Sequence, residues 1–192
     1  MIVKRNKDSF LNSNPKTLAK CQKLEVKMRT GREIQVKAEK FNPVIVDYSK
    51  SQSEMIKAGN YDWTNNFGDF PLHGHGQHKV ELHLIRFSKN ILNSEAVKCM
   101  KKHGFKPVKV EYLLAFGAAY PDKQREFVIV ALGSDWFDCM GHRVCPFLHC
   151  DTKGKRKLDI SLDIEGDYDD EPWWEDSLIE WDSSTRFLAM RK

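Results

Sequence analysis

Residues 111–121 have the sequence Glu-Tyr-Leu-Leu-Ala-Phe-Gly-Ala-Ala-Tyr-Pro, and residues 128–136 have the sequence Val-Ile-Val-Ala-Leu-Gly-Ser-Asp-Trp. The apolar residues over 109–119 fit both the alternation of a strand and one face of a helix, and the Leu, Glu and Ala content of this segment favours the helix. The second segment is predicted to belong to a strand that begins at Glu126 and ends at Gly133. These two elements indicate a compact core in the C-terminal half of the chain.

Further elements are predicted around this pair. Residues 43–47 and 80–87 have the pattern of strands, and in the second of these Val80, Leu82 and Leu84 are expected to face inward. Helices are predicted over 53–58 and 95–103, where Ser and Asn precede each segment and Gly follows it. Three C-terminal segments, 143–150, 157–164 and 186–190, are predicted to form a meander of four strands with 126–132.

The N-terminal region has the pattern of a β-hairpin. Apolar and polar residues alternate over 24–28 and over 34–38, and the turn between them contains Gly31. Four basic residues lie on this hairpin: Lys27, Arg29, Arg32 and Lys37.

We therefore predict the α+β class: a C-terminal antiparallel β-meander packed with two or three short helices, plus an N-terminal β-hairpin. Residues 1–40 are assigned to a basic N-terminal extension with the hairpin, and residues 41–192 to a single α+β domain.

Composition narrows the class of protein. A chain of 192 residues with 41% hydrophobic residues is long enough for one domain with a sizeable core. No apolar run has the length of a signal peptide or of a membrane span, so a cytoplasmic protein without membrane contact is expected. Five widely spaced cysteines make a poor disulfide framework, and free thiols are expected.

Charge is distributed unevenly along the chain. Residues 1–110 contain 21 Lys and Arg against 10 Asp and Glu, whereas residues 111–192 contain 10 against 17. This asymmetry predicts that the basic hairpin residues contact nucleic acid non-specifically, or an acidic partner surface. The alternative is that the two halves neutralise each other in the fold.

Two adjacent tryptophans, Trp173 and Trp174, lie within the acidic C-terminal segment. On an extended segment they would point to opposite faces, which exposes one of them unless both pack into the core. An exposed tryptophan among carboxylates is typical of a protein contact, so a protein partner is expected.

Several longer strings resemble a known family. They include Met55-Ile-Lys-Ala-Gly-Asn-Tyr-Asp-Trp63, Leu113-Leu-Ala-Phe-Gly117, Tyr120-Pro-Asp-Lys-Gln-Arg-Glu-Phe127 and Arg186-Phe-Leu-Ala-Met-Arg-Lys192. Over residues 43–192 the chain resembles a family of uncharacterised bacterial proteins that is frequent in candidate-phylum (Patescibacteria-like) genomes. The resemblance implies a helix at 113–117 and no particular activity. The histidine-containing segment 73–78 departs from the family pattern.

That segment contains the best candidate metal ligands, His73, His75 and His78. Imidazoles suit zinc, and the intervening glycines could fold them around one ion. The spacing matches no established zinc pattern, and a polar loop without metal is the alternative. No cofactor is expected.

A second cluster, around Cys145 and His149, places a thiol and an imidazole on one face of a strand. A nucleophilic thiol would also need a lowered pKa and an oxyanion site, and no sequence feature supplies them. No catalytic residue is assigned. The sequence thus predicts a non-enzymatic binding module that contacts protein and nucleic acid; the alternative is a small metal-dependent enzyme built on the His73, His75 and His78 cluster.

Overall fold

The computed structural model describes residues 34–134, 136–137, 143–163 and 179–192. The chain divides into two compact units at residue 33, and every described residue belongs to the second, Ile34–Lys192. The first strand and turn of the predicted hairpin, and the acidic segment 164–178, lie outside the described residues. Among the described residues, no helix is long and apolar enough to cross a membrane.

Helices and strands are interspersed along the unit, and the α+β class is confirmed. The strands are β1 (Val36–Lys40), β2 (Val44–Asp47), β3 (Trp63–Thr64), β4 (Gln77–Val80), β5 (His83–Phe87), β6 (Ile91–Leu92), β7 (Phe105–Pro107), β8 (Ile129–Val130), β9 (Arg143–Cys150), β10 (Arg156–Asp163), β11 (Glu180–Trp181) and β12 (Arg186–Arg191). The helices are α1 (Gln52–Ala58), α2 (Asn93–Lys102), α3 (Val110–Ala119) and α4 (Lys123–Glu126).

Among the described residues, the main sheet has eight strands in the order β1-β5-β12-β8-β9-β10-β3, with β7 also paired to β12. Strands β8, β9 and β10 follow one another in antiparallel pairs, as a meander does. The last strand departs from that pattern. It lies between β5 and β8, antiparallel to the first and parallel to the second, with Phe187 opposite both Ile85 and Val130.

Strand β1 belongs to this main sheet. Its residues pair antiparallel with β5, from Val36 opposite Phe87 to Lys40 opposite His83. Residues 36–40, which the sequence assigned to the N-terminal extension, therefore contribute an edge strand to the C-terminal unit.

The predicted start and stop residues are confirmed for α1, whereas α2 starts earlier than predicted and has Leu92 rather than Asn93 or Ser94 at its N-cap. Ser51 and Glu54 form a reciprocal capping box at the start of α1, which ends at Gly59. Helix α3 confirms the helical prediction for 109–119. Helix α2 begins one residue after Leu92, whose backbone N–H donates to the Glu95 carboxylate at 3.3 Å.

Two strand predictions need correction. The predicted strand 80–87 is divided between two strands. Val80 is the last residue of β4, which pairs with β2, and β5 begins at His83. Strand β5 is also buried on both faces, since it is an internal strand covered on each side. The predicted strand 126–132 is shortened to Ile129–Val130, since Glu126 is the last residue of α4 and residues 127–128 and 131–132 lie outside the strand.

Each face of the main sheet has its own core. Helix α3 covers the face that carries Leu84, Ile129 and Leu188. Helix α2 covers the opposite face, which carries the residues adjacent to these along each strand, such as Ile85 and Phe187. The period-2 alternation of side chains divides the apolar residues between the two cores.

Candidate ligand pocket at Glu111

A pocket of about 300 Å³ lies between β2, α1 and α3. It is mostly apolar, with three ionisable side chains. We call it the Glu111 pocket; its lining residues are Val44, Ile45, Val46, Asp47, Lys50, Met55, Ala58, Glu111, Leu114, Ala115, Ala118 and Ala119.

Glu111 is the unusual residue of the lining, because an acidic side chain is rarely fully buried unless it is paired. It lies in the first turn of α3 and is only 1% exposed. Its Oε1 accepts a hydrogen bond from the Tyr48 hydroxyl at 3.4 Å. Its Oε2 is buried and has no hydrogen-bond partner among the described residues. One oxygen of this buried carboxyl therefore lacks a hydrogen-bond donor among the described residues, and a ligand could supply it.

Burial also sets the protonation of this site. It raises the pKa of the Glu111 carboxyl above its usual value, and this effect outweighs the lowering by its own backbone N–H, Lys109, Tyr48 and His73. Burial likewise raises the pKa of the Tyr48 phenol, so Tyr48 keeps its proton and remains a donor to Glu111. The carboxyl can therefore accept a hydrogen bond from a ligand or exchange a proton with it.

The other two charges of the lining compensate each other. Hydrogen bonds from the Ser49 hydroxyl and backbone N–H, at 2.6 and 3.1 Å, lower the pKa of Asp47, and the neighbouring Lys50 adds to that lowering. Asp47 and Lys50 carry opposite charges, so an ionised Glu111 leaves the lining residues with one negative charge that no positive lining residue balances. This favours a positively charged ligand group.

The histidine-containing loop covers Tyr48 rather than forming a site of its own. The Tyr48 N–H donates to the Gly76 carbonyl at 2.8 Å, and its ring meets the His78 ring edge-on at 5.4 Å. A Cβ at Gly74 would come within 2.4 Å of the Tyr48 ring. Gly76 has a φ of +65°, which side chains disfavour. Both glycines are needed for the loop to lie against Tyr48.

The three predicted zinc ligands form no ligand set. The rings of His75 and His78 are 6.1 Å apart, and His78 Nε2 hydrogen-bonds the His75 carbonyl at 2.9 Å. Across the parts of the chain that the structure describes, no group of three or more His, Cys, Asp or Glu side chains could hold a metal ion. His73 instead lies close enough to Glu111 to lower the pKa of that carboxyl.

The predicted Cys145 and His149 pair shares one face of β9, as expected, with Phe147 between them. Cys145 is only 1% exposed and packs in the core under α2. His149 lies beside Asp159, with Nε2 and Oδ2 3.4 Å apart. At this exposure the thiol is inaccessible to a substrate.

Most of the predicted partner-binding residues lie outside the described residues: Lys27, Arg29, Arg32, Trp173 and Trp174. Lys37 is described. It is exposed on β1 and lies directly opposite Arg86 of β5, which places two positive charges side by side. Contact of this surface with nucleic acid stays a prediction.

Comparison of the chain with protein-family models, with curated proteins and with solved structures gave no match. What the Glu111 pocket binds must therefore be inferred from its own residues.

The substitution Glu111→Gln is expected to stabilise the protein at neutral pH. Because the pKa of Glu111 is raised on folding, the folded protein holds this proton at pH values where the unfolded chain has lost it. Its contribution to stability is therefore full below about pH 4.5 and declines as pH rises through the folded pKa. Thermal unfolding should show a melting temperature for Glu111→Gln that is a few degrees above wild type at pH 7.5, with the gain vanishing near pH 4.5. A loss of stability at pH 7.5 would mean that the carboxylate is held for structural reasons.

Proposed function

We propose that this protein is a binding module and that its ligand-binding site is the Glu111 pocket. The ligand carries a positively charged hydrogen-bond donor on a short apolar body. The observation that carries the proposal is that Glu111, whose buried Oε2 has no hydrogen-bond partner among the described residues, lines an otherwise largely apolar pocket.

The size of the pocket limits the ligand. A volume of about 300 Å³ is at the lower end of the range for ligand pockets, which is about 300–1,000 Å³. It suits one amine-bearing aliphatic group and excludes a dinucleotide or other large cofactor. An ammonium fits better than a hydroxyl, because it supplies both the donor for Oε2 and the charge that the lining lacks.

The experiment uses n-pentylamine, 1-pentanol and pentanoate, which share a chain length and differ in the polar group. Backbone amide chemical shifts of the full chain are followed at pH 7.5 during titration. We expect n-pentylamine to bind with a Kd of about 1–10 mM, as a fragment of this size does. Pentanol should bind about tenfold or more weakly, because it lacks the charge-assisted hydrogen bond, and pentanoate should not bind.

Two variants provide the matched comparison. Glu111→Gln should lose the preference for amine over alcohol, whereas Glu126→Gln removes an exposed carboxylate outside the pocket and should keep it. Amine binding should also strengthen as pH rises through the raised pKa of Glu111, because the carboxyl then ionises. Equal binding of the three compounds, or amine binding that is unchanged in Glu111→Gln, would overturn the proposal.

A further inference from the structure

Strand β2 has a backbone edge that β4 does not use. The Tyr48 N–H donates to the Gly76 carbonyl, and Tyr48 lies opposite Gly76 when the β2–β4 register is continued by one residue. In an antiparallel pair, hydrogen-bonded residues alternate with residues whose backbone groups point away. Val46 and Val44 therefore bond to β4, and the N–H and C=O of Ile45 point to the other edge. Within the described residues, these two groups of Ile45 have no hydrogen-bond partner.

This open edge belongs to the Glu111 pocket, because all four residues of β2 line it. The Ile45 side chain is 59% exposed, whereas Val44 and Val46 are buried beneath the strand. The rest of the lining includes four alanines, whose small side chains allow a backbone to come close: Ala58, Ala115, Ala118 and Ala119. The outward N–H and C=O of Ile45 lie beside these small side chains. An added strand recognises this arrangement, because it can exchange two backbone hydrogen bonds with one residue.

We infer that the occupant of the Glu111 pocket is an extended segment of a partner protein that carries a lysine. The inference rests on the proposed function, since the lysine ammonium is the charged group that donates a hydrogen bond to the Glu111 carboxylate. One segment residue exchanges both backbone hydrogen bonds with Ile45. The lysine is its neighbour, so its side chain points to the opposite face, the face of Val44, Val46 and α3.

Lysine suits this acceptor better than arginine. The Tyr48 hydroxyl already donates to Oε1 of Glu111, which leaves Oε2 as the carboxylate oxygen without a partner among the described residues. The guanidinium fork of arginine is matched to both oxygens of a carboxylate, whereas an ammonium is a point donor that one oxygen satisfies.

Three blocked pentapeptides separate the side-chain contribution from that of the backbone. The first has the sequence Ala-Val-Lys-Val-Ala, the second carries norleucine in place of lysine, and the third keeps lysine but has both valine amides methylated. We expect the norleucine peptide to bind about tenfold or more weakly, through loss of a charged hydrogen bond. The methylated peptide should also bind about 5- to 10-fold more weakly than the first, because it cannot donate to the Ile45 carbonyl.

Protein variants test the same edge from the other side. Ile45→Pro removes the outward N–H, a change that an edge strand tolerates, and Ile45→Val retains it as the control. We expect Ile45→Pro to weaken the lysine peptide by a similar factor, and to weaken it more than it weakens n-pentylamine, which makes no hydrogen bond to the Ile45 backbone. Should Ile45→Pro fail to fold, the methylated peptide still decides the matter.

The outcomes distinguish the two proposals. If n-pentylamine binds through Glu111 but methylation of the peptide changes nothing, the pocket binds small amines and the strand-addition inference is overturned. If neither the amine nor the lysine peptide binds in a Glu111-dependent manner, the proposed function fails with it.

Discussion

Deletion of residues 186–192 is expected to leave the C-terminal unit unfolded. This segment is β12, an internal strand that joins β5 to β8 and also pairs with β7. Its removal exposes the backbone groups of three neighbouring strands and separates both cores. Circular dichroism should show loss of the cooperative thermal transition. A truncated chain with an unchanged melting temperature would contradict the position of β12 in the sheet.

A single side chain in this strand should have a large effect as well. Phe187 is 1% exposed, and its ring packs against Phe87 at 5.3 Å and Trp181 at 6.5 Å. Phe187→Ala should cost about 3–5 kcal/mol through lost burial and the cavity left behind. Phe137→Ala is the matched control. Because Phe137 is 48% exposed, the same substitution there should cost much less in urea unfolding.

The second large effect is expected at Arg156, a buried cation held mainly by neutral acceptors. Its guanidinium donates to Gln124 Oε1 at 3.1 and 3.2 Å and to the Gly117 carbonyl at 3.0 Å. The Gln124 amide in turn donates to the His149 and Lys157 carbonyls at 2.7 and 3.1 Å. Arg156 thereby connects the end of α3 to α4 and the two longest strands.

Arg156→Met should destabilise the protein by about 2–5 kcal/mol, because buried acceptors on Gln124 and Gly117 lose their donor. Lys155→Met, the same type of change at an exposed neighbour, should stay within about 0.5 kcal/mol. Denaturant unfolding of both variants gives the comparison. Equal free energies of unfolding for the two variants would show that the hydrogen bonds of Arg156 contribute nothing to stability.

The candidate site has no local signal in the sequence. Glu111 opens an apolar helix, and an acidic residue in a first helical turn is ordinarily explained by the helix dipole. Nothing local distinguishes it from an exposed residue. The composition of the histidine-containing loop predicted a metal site, whereas in the structure this loop packs against Tyr48. The signal for Glu111 is its burial, which requires contact with residues more than 60 positions earlier in the chain.

The sequence by itself determined the elements whose signals are local. Helix α1 follows from the Ser51 cap and the Gly59 stop, and α3, β9 and β10 follow from composition and alternation within about ten residues. Only the tertiary structure decided which strands are neighbours. The insertion of β12 beside β8, the pairing of β1 with β5 and the closure of the Glu111 pocket all join distant segments. Such contacts depend on which apolar faces pack together, and a pattern read over a few residues carries no information about its distant partner.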